Sequence, residues 1–220
     1  MDSSKIPSGD FLGGSLMTDM VHNINVKVYI ADSSKLQDKE LFQQLYDNAN
    51  EYRREKIDKT EDQRDKQAAL AAGVLLSKAL KEAGYKEQEL ELQFNSNGKP
   101  FYSKHPELGF SLAYSGDRAM CAIAIADGPI GAEIGCDVEE NTKELAAYLD
   151  EYNMTADKWT RLESYAKATQ ADMESLFYGS ASVIPGFIFS HPELDDNYKY
   201  NICCRTKIPS ENIIVVDLTK

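Results

Sequence analysis

Ile134-Gly135-Cys136-Asp137-Val138-Glu139 reads as a half-buried strand, and side-chain alternation puts Asp137 and Glu139 on the same face. Two same-face carboxylates lie roughly 6–7 Å apart along the pleat, and like charges held that close call for a cation. Glu163 lies on a later helical segment headed by Trp159, the only tryptophan. Three oxygen ligands with room for water suit Mg2+. The plainer alternative is a solvated acidic strand end, because Glu140 continues the run. The same strand opens a second series of strands and helices after Asp127-Gly128-Pro129, a loose recurrence of the first.

Working outward, Asn25 to Ile30 alternates with period two and puts Val26, Val28 and Ile30 on one strand face. Helices are expected at Asp38 to Asn50 and at Asp62 to Ala83. The second carries Leu70, Val74, Leu75 and Ala79 at helical spacing and is stopped by Gly84. Further strands are expected at Leu90 to Phe94, Phe110 to Tyr114 and Met120 to Ile125, with Asn97-Gly98 as the turn between the first two. Past Gly128 the order recurs loosely: a strand at 130–138, helices near 142–152 and 156–170, then strands near 186–190, 198–204 and 212–217. The order points to an α+β fold, with a recurrence too loose by periodicity alone to define two similar halves, 24–127 and 128–220. Residues 1–23, rich in Ser, Gly and Asp, read as a leader or an artificial extension without an export signal.

Composition narrows the class. The 220 residues include 24 Lys plus Arg against 36 Asp plus Glu, a net charge of −12, which argues against general nucleic-acid or anionic-membrane binding. Cys121, Cys136, Cys203 and Cys204 form neither a disulfide framework nor a zinc spacing, so a reducing, cytoplasmic setting fits best. His22, His105 and His191 are too scattered for a histidine metal cluster or a Ser-His-Asp hydrolase.

Several short motifs are unremarkable one at a time. Gly98-Lys99-Pro100 is also an ordinary turn, Tyr114-Ser115-Gly116 an ordinary strand end, and Glu163 four residues before Lys167 a common surface pair worth about 0.2–0.5 kcal/mol. Their order is more telling: Gly-Lys-Pro, a strand ending in Ser-Gly, Gly-x-Asp-x-Glu, then Trp-x-x-x-Glu-Ser-x-x-Lys. In that order they resemble the surfactin-synthetase-activating type of 4′-phosphopantetheinyl transferase, over about residues 53 to 167.

The resemblance implies two pseudo-twofold-related subdomains, each a small, mainly antiparallel sheet packed on helices. It implies binding of coenzyme A and Mg2+ between them, and transfer of the phosphopantetheine arm to a serine of an apo acyl or peptidyl carrier protein, releasing 3′,5′-ADP. Asp137, Glu139 and Glu163 match the metal-binding acids. Glu163, or a metal-held water, would take the serine proton, and Lys167 would stabilise the departing phosphate. Lys99 and Pro100 match the turn near the nucleotide. Arg54 and Lys56, with Lys66 as the next basic candidate, match the stretch holding the coenzyme phosphates, and Tyr114 and Ser115 match the segment near the 3′-phosphate. The family there usually has Ser-His-Ser-Gly, so a neutral phenol replaces an imidazole. Leu162 likewise stands where the family carries a lysine. These departures leave a rival reading, a non-catalytic coenzyme or nucleotide-binding module. Members of this type resemble self-sufficient monomers. Their acidic carrier partners would meet this acidic chain through a local basic or apolar surface in the second half.

Overall fold

β1 (Ile24–Asp32) lies at the heart of a four-stranded sheet ordered β4-β5-β1-β9 in a computed structural model that describes residues 23–127, 132–179 and 184–220. Its neighbours are β5 (Arg118–Ala126), antiparallel to it and in turn antiparallel to β4 (Leu108–Ser115), and β9 (Ile213–Val216), which runs parallel to β1. Val26, Val28 and Ile30 share a buried face as expected. Tyr29 and Ala31 on the opposite face are also buried, because helices cover that side.

The helical layer consists of α1 (Lys39–Asp47), α2 (Glu51–Lys59) and α3 (Gln63–Glu82). Asp62 caps α3 by accepting from the Arg64 and Asp65 amides, and Gly84 follows its C-terminus at φ +86°. Leu70, Leu75, Leu76 and Leu80 of α3 pack on Tyr29, Cys121 and Ile123. Each fully buried Leu contributes about 1.5–3 kcal/mol, which makes α3 the main internal anchor of this layer.

A second sheet, ordered β6-β8-β7 and wholly antiparallel, is built from β6 (Ile134–Glu140), β7 (Ile188–Ser190) and β8 (Tyr198–Cys204). Ile134, Cys136, Val138, Tyr200 and Ile202 pack face to face on Val28, Ile30, Met120 and Ala122 of the first sheet. Its other face carries α5 (Ala156–Thr169), with Tyr165 and Ala168 against Cys203. α4 (Lys143–Asp150) and α6 (Met173–Phe177) flank α5, and a hairpin of β2 (Leu92–Phe94) and β3 (Pro100–Tyr102) lies at the side of the first sheet. The chain is thus mixed α+β, layered helix, sheet, sheet, helix.

Several boundaries differ from the sequence reading. The first helix ends at Asp47 instead of Asn50, and α2 follows it; α2 gives little periodic signal because only Ile57 of its residues is buried. The Asn97-Gly98 turn, with Gly98 at φ +78°, closes β2 onto the three-residue β3 and not directly onto β4. The short α6 was likewise not expected. β9, assigned to the second half, pairs with β1 of the first. The leader, the junction at Gly128 and the first residues of the 130–138 strand lie outside the described residues. Among the described residues no helix is long and apolar enough to cross a membrane.

Arg64 at the start of α3 ties the two sheets. Its guanidinium donates to both carboxylate oxygens of Asp117 at 2.7 and 2.9 Å and to both of Glu140 at 2.8 and 3.0 Å. The Arg64 hydrogen bonds hold the Asp117 carboxyl below its usual range. A depressed carboxylate stabilises the fold above its unfolded pKa, about 3.9, and loses that contribution as pH falls through the folded value. Arg64→Met is expected to cost about 1 kcal/mol at neutral pH, given the partial exposure of the pair, and the difference should shrink progressively in urea titrations as pH falls below about 3.9.

Candidate metal centre and adjoining cleft

With Cys136 and Val138 buried against the first sheet, the pleat turns Asp137 and Glu139 toward α5. α5 lies close because Gly135 has no side chain: a Cβ there would sit 1.9 Å from the Ser164 carbonyl oxygen and 2.5 Å from the Ala168 nitrogen. The helix face toward β6 carries Trp159, Glu163 and Lys167, spaced four and four. Lys167 Nζ lies 2.6 Å from Asp137 Oδ1 and 3.4 Å from Glu163 Oε2. One oxygen from each of Asp137, Glu139 and Glu163 lies within 4.8 Å of the others, so the three could hold a metal ion. Glu140 points to the opposite side and is taken up by Arg64, so the acidic run is divided between two tasks.

Charge and burial make the trio distinctive. Asp137 is 3% exposed, and its Oδ2 is buried without a hydrogen-bond partner. Burial pushes the Asp137 carboxyl well above its ordinary range despite the Lys167 ammonium beside it, and Glu163 adds to the rise. Burial also raises Glu139, against the hydrogen bond it accepts from Ser115. Lys167 is pulled down by burial, but Asp137 and Glu163 outweigh this and hold its ammonium firmly charged. One ammonium stands among three carboxylates, two of which burial pushes toward their protonated form, and a further cation beside them would favour their ionised form. The all-oxygen donor set and the orphaned Asp137 oxygen fit a hard divalent cation such as Mg2+, which accepts carboxylates and keeps several waters.

Beside the trio lies a cleft of about 420 Å3, walled by α2, α3, the β2–β3 hairpin, β4 and the end of α5. Lys56, Lys99, Pro100, Tyr114 and Lys167 line it. Arg54, Lys66 and Ser115 are not among its lining residues. Arg53 faces it instead of Arg54, one residue round the helix, and is already engaged by Glu87, Ser77 and the Gly73 carbonyl. Ser115 supports the acids: its Oγ donates to Glu139 Oε2 at 2.9 Å and accepts from the Glu140 amide at 3.1 Å. Burial pulls the Lys99 ammonium down to about 8, and it donates to the carbonyls of Ile134 at 2.8 Å and Lys167 at 2.6 Å. That lysine pins the hairpin turn to β6 and to the carbonyl end of α5. Burial raises the Tyr114 phenol, which is therefore neutral near pH 7.

The resemblance points to Arg54 through the Arg-x-Lys stretch; helical phase, fixed only by the α2 boundaries, turns Arg53 to the cleft. The same resemblance gave Ser115 to the ligand side, and no sequence signal connects that hydroxyl to Glu139, 24 residues away. No family model matches the chain, and no curated protein matches it.

Removing one partner of a buried ion pair strands the other. Lys167→Met should lower stability by about 3 kcal/mol in urea denaturation without divalent ions, and the Asp137→Asn/Lys167→Met pair should recover most of that loss. Gly135→Ala should cost about 3 kcal/mol or more, since the new methyl group meets backbone and not a movable side chain.

Proposed function

We propose that the chain is a 4′-phosphopantetheinyl transferase of the surfactin-synthetase-activating type. On this reading it moves the phosphopantetheine arm of coenzyme A to a serine of an apo acyl or peptidyl carrier protein and releases 3′,5′-ADP. The observation that carries the reading is the convergence of Asp137, Glu139 and Glu163 with Lys167 at the edge of the cleft, since the ordered motifs alone resemble that family. The layered arrangement supports a finer description in which the two α+β halves are pseudo-twofold partners, with α3 and α5 on their outer faces. Cytoplasmic residence and a monomeric state belong to the same proposal.

Transfer is a displacement at the phosphorus on the pantetheine side of the pyrophosphate. The serine oxygen forms the new bond, the bond to the adenosine-side phosphate oxygen breaks, and 3′,5′-ADP leaves. Mg2+, held by Asp137, Glu139 and Glu163, would supply charge neutralisation at the pyrophosphate. Glu163, 24% exposed on its side chain and therefore reachable from solvent, would accept the serine proton. Lys167, held charged by its acidic neighbours, would offset the negative charge on the departing phosphate. Ser115 orients Glu139, while Lys56, Lys99 and Tyr114 would meet the nucleotide part of the coenzyme.

A second reading has one observation in its favour. Tyr114 is a neutral phenol in the cleft, where the family usually has an imidazole, and this suits a module that binds the coenzyme without transferring its arm. Incubation with coenzyme A, Mg2+ and an apo carrier domain, followed by intact mass, separates the two. Transfer should yield the phosphopantetheinylated carrier, chelation or Glu139→Ala should abolish it, and Lys167→Ala should slow it about 100-fold or more. Tight coenzyme binding with no added mass on the carrier would rule the transferase out.

A further inference from the structure

Among the described residues, the buried side-chain oxygens without a hydrogen-bond partner are Ser33 Oγ, Asp137 Oδ2 and Asn201 Oδ1. The last two lie on directly paired residues, since Asp137 of β6 stands opposite Asn201 of β8 in the antiparallel register. Val138, Tyr200 and Ile202 beside them face the first sheet, so both polar side chains face α5. Asn201 Nδ2 donates there to Thr160 Oγ1 at 3.2 Å. Directly opposite residues hold their Cβ atoms about 4.5–5.5 Å apart, which puts a carboxylate and a carboxamide within hydrogen-bond reach of each other. Asn201 is 1% exposed, beyond the help of bulk water, and each unpaired buried acceptor costs about 1–3 kcal/mol.

Donors near Asp137 are mostly committed elsewhere. Lys167 Nζ holds Oδ1 at 2.6 Å. Thr160 and Ser164, both wholly buried on α5, donate back to their own helix, to the carbonyls of Asp157 at 3.0 Å and Arg161 at 2.9 Å. The Asn201 carboxamide carries its acceptor and its donors at opposite ends. Half a turn about its last side-chain torsion exchanges them: the NH2 group then faces Asp137 Oδ2, and the oxygen faces the Thr160 hydroxyl, which can donate to it. The Asp157 carbonyl keeps the helical amide of Arg161 as its donor. Both orphaned oxygens thereby gain a partner. A carboxylate oxygen has two lone pairs, so Asp137 Oδ2 retains one for an ion.

We propose that Asn201 is a positioning residue of the metal centre: its carboxamide turns to donate to Asp137 Oδ2 when a divalent cation binds, and so fixes the orientation of that carboxylate toward the ion. The proposal rests on the reading of Asp137, Glu139 and Glu163 as a Mg2+ site. Asn201 itself lies outside the motifs that carry the family resemblance. Lys167 and Asn201 then hold one oxygen each of the same carboxylate. An amide suits the second position because it donates without adding a like charge beside Asp137 or a cation that competes with the ion.

The test uses the full chain without coenzyme A. Free Mn2+ counted by electron paramagnetic resonance gives the affinity for the ion, and Asn201→Leu, a change of similar size, should weaken it about 10–100-fold. The melting temperature of that variant without divalent ions should not fall, because the substitution removes an orphaned oxygen. In the unaltered chain, the side-chain amide signal of Asn201, identified in a proton–nitrogen correlation spectrum by its proximity to Thr160, should shift when Mg2+ is added. A residue that only fills space would leave that signal unmoved. Mn2+ affinity of the variant within about twofold of the unaltered chain, or an amide signal that Mg2+ leaves in place, overturns the proposal and leaves the transferase reading standing. Weakened Mn2+ binding in the variant, with no phosphopantetheine transfer by the unaltered chain to any carrier domain, keeps Asn201 in its role and removes the transferase reading. Uptake of neither ion by the unaltered chain overturns both. The amide measurement decides the matter even if Asn201→Leu does not fold.

Discussion

The arrangement depends on how closely α5 approaches β6. Where Gly135 passes under the helix, the Ser164 carbonyl occupies the space a Cβ would need, so the strand and helix backbones meet without an intervening side chain. Only at that distance can short acidic side chains from a strand and a longer one from a helix bring their oxygens within 4.8 Å. Wider spacing would bury the same carboxylates separately, each with its own desolvation penalty and no common counterion.

The centre sits at a seam that is fastened on several sides. Arg64 joins the start of α3 to the β4–β5 turn and to the end of β6. Lys99 joins the hairpin turn to β6 and α5, and Ser115 joins β4 to Glu139 and Glu140. β9 comes back beside β1, so the first sheet is completed by a strand distant from it in the chain. The acids are thus supported from both sheets, and relative movement of the two layers would alter the distances among them.

Electrostatics at the seam is asymmetric. Lys167 neutralises part of the negative charge, and its strongly held proton keeps it a fixed cation. The remainder, with an unpartnered buried oxygen on Asp137, leaves a local demand for positive charge inside a chain that is acidic overall.

Strong periodicities were legible without coordinates. The alternation in Asn25 to Ile30 and Ile134 to Glu139, the apolar spacing and Gly stop of α3, and the four-and-four spacing of Trp159, Glu163 and Lys167 are local properties of the chain, and each predicts one face of one element. α2, with a single buried residue, and the three-residue β3 carry too little pattern to be read. The sequence by itself therefore determined that the elements are mixed α+β and that Asp137 and Glu139 share a face. Tertiary structure alone decided that Glu140 turns away to Arg64, that Arg53 and not Arg54 faces the cleft, that Ser115 holds Glu139, and that β9 joins β1. The physical reason is that a side chain's direction along its own element is fixed by backbone geometry, whereas its partner is set by the packing of layers far apart in the chain.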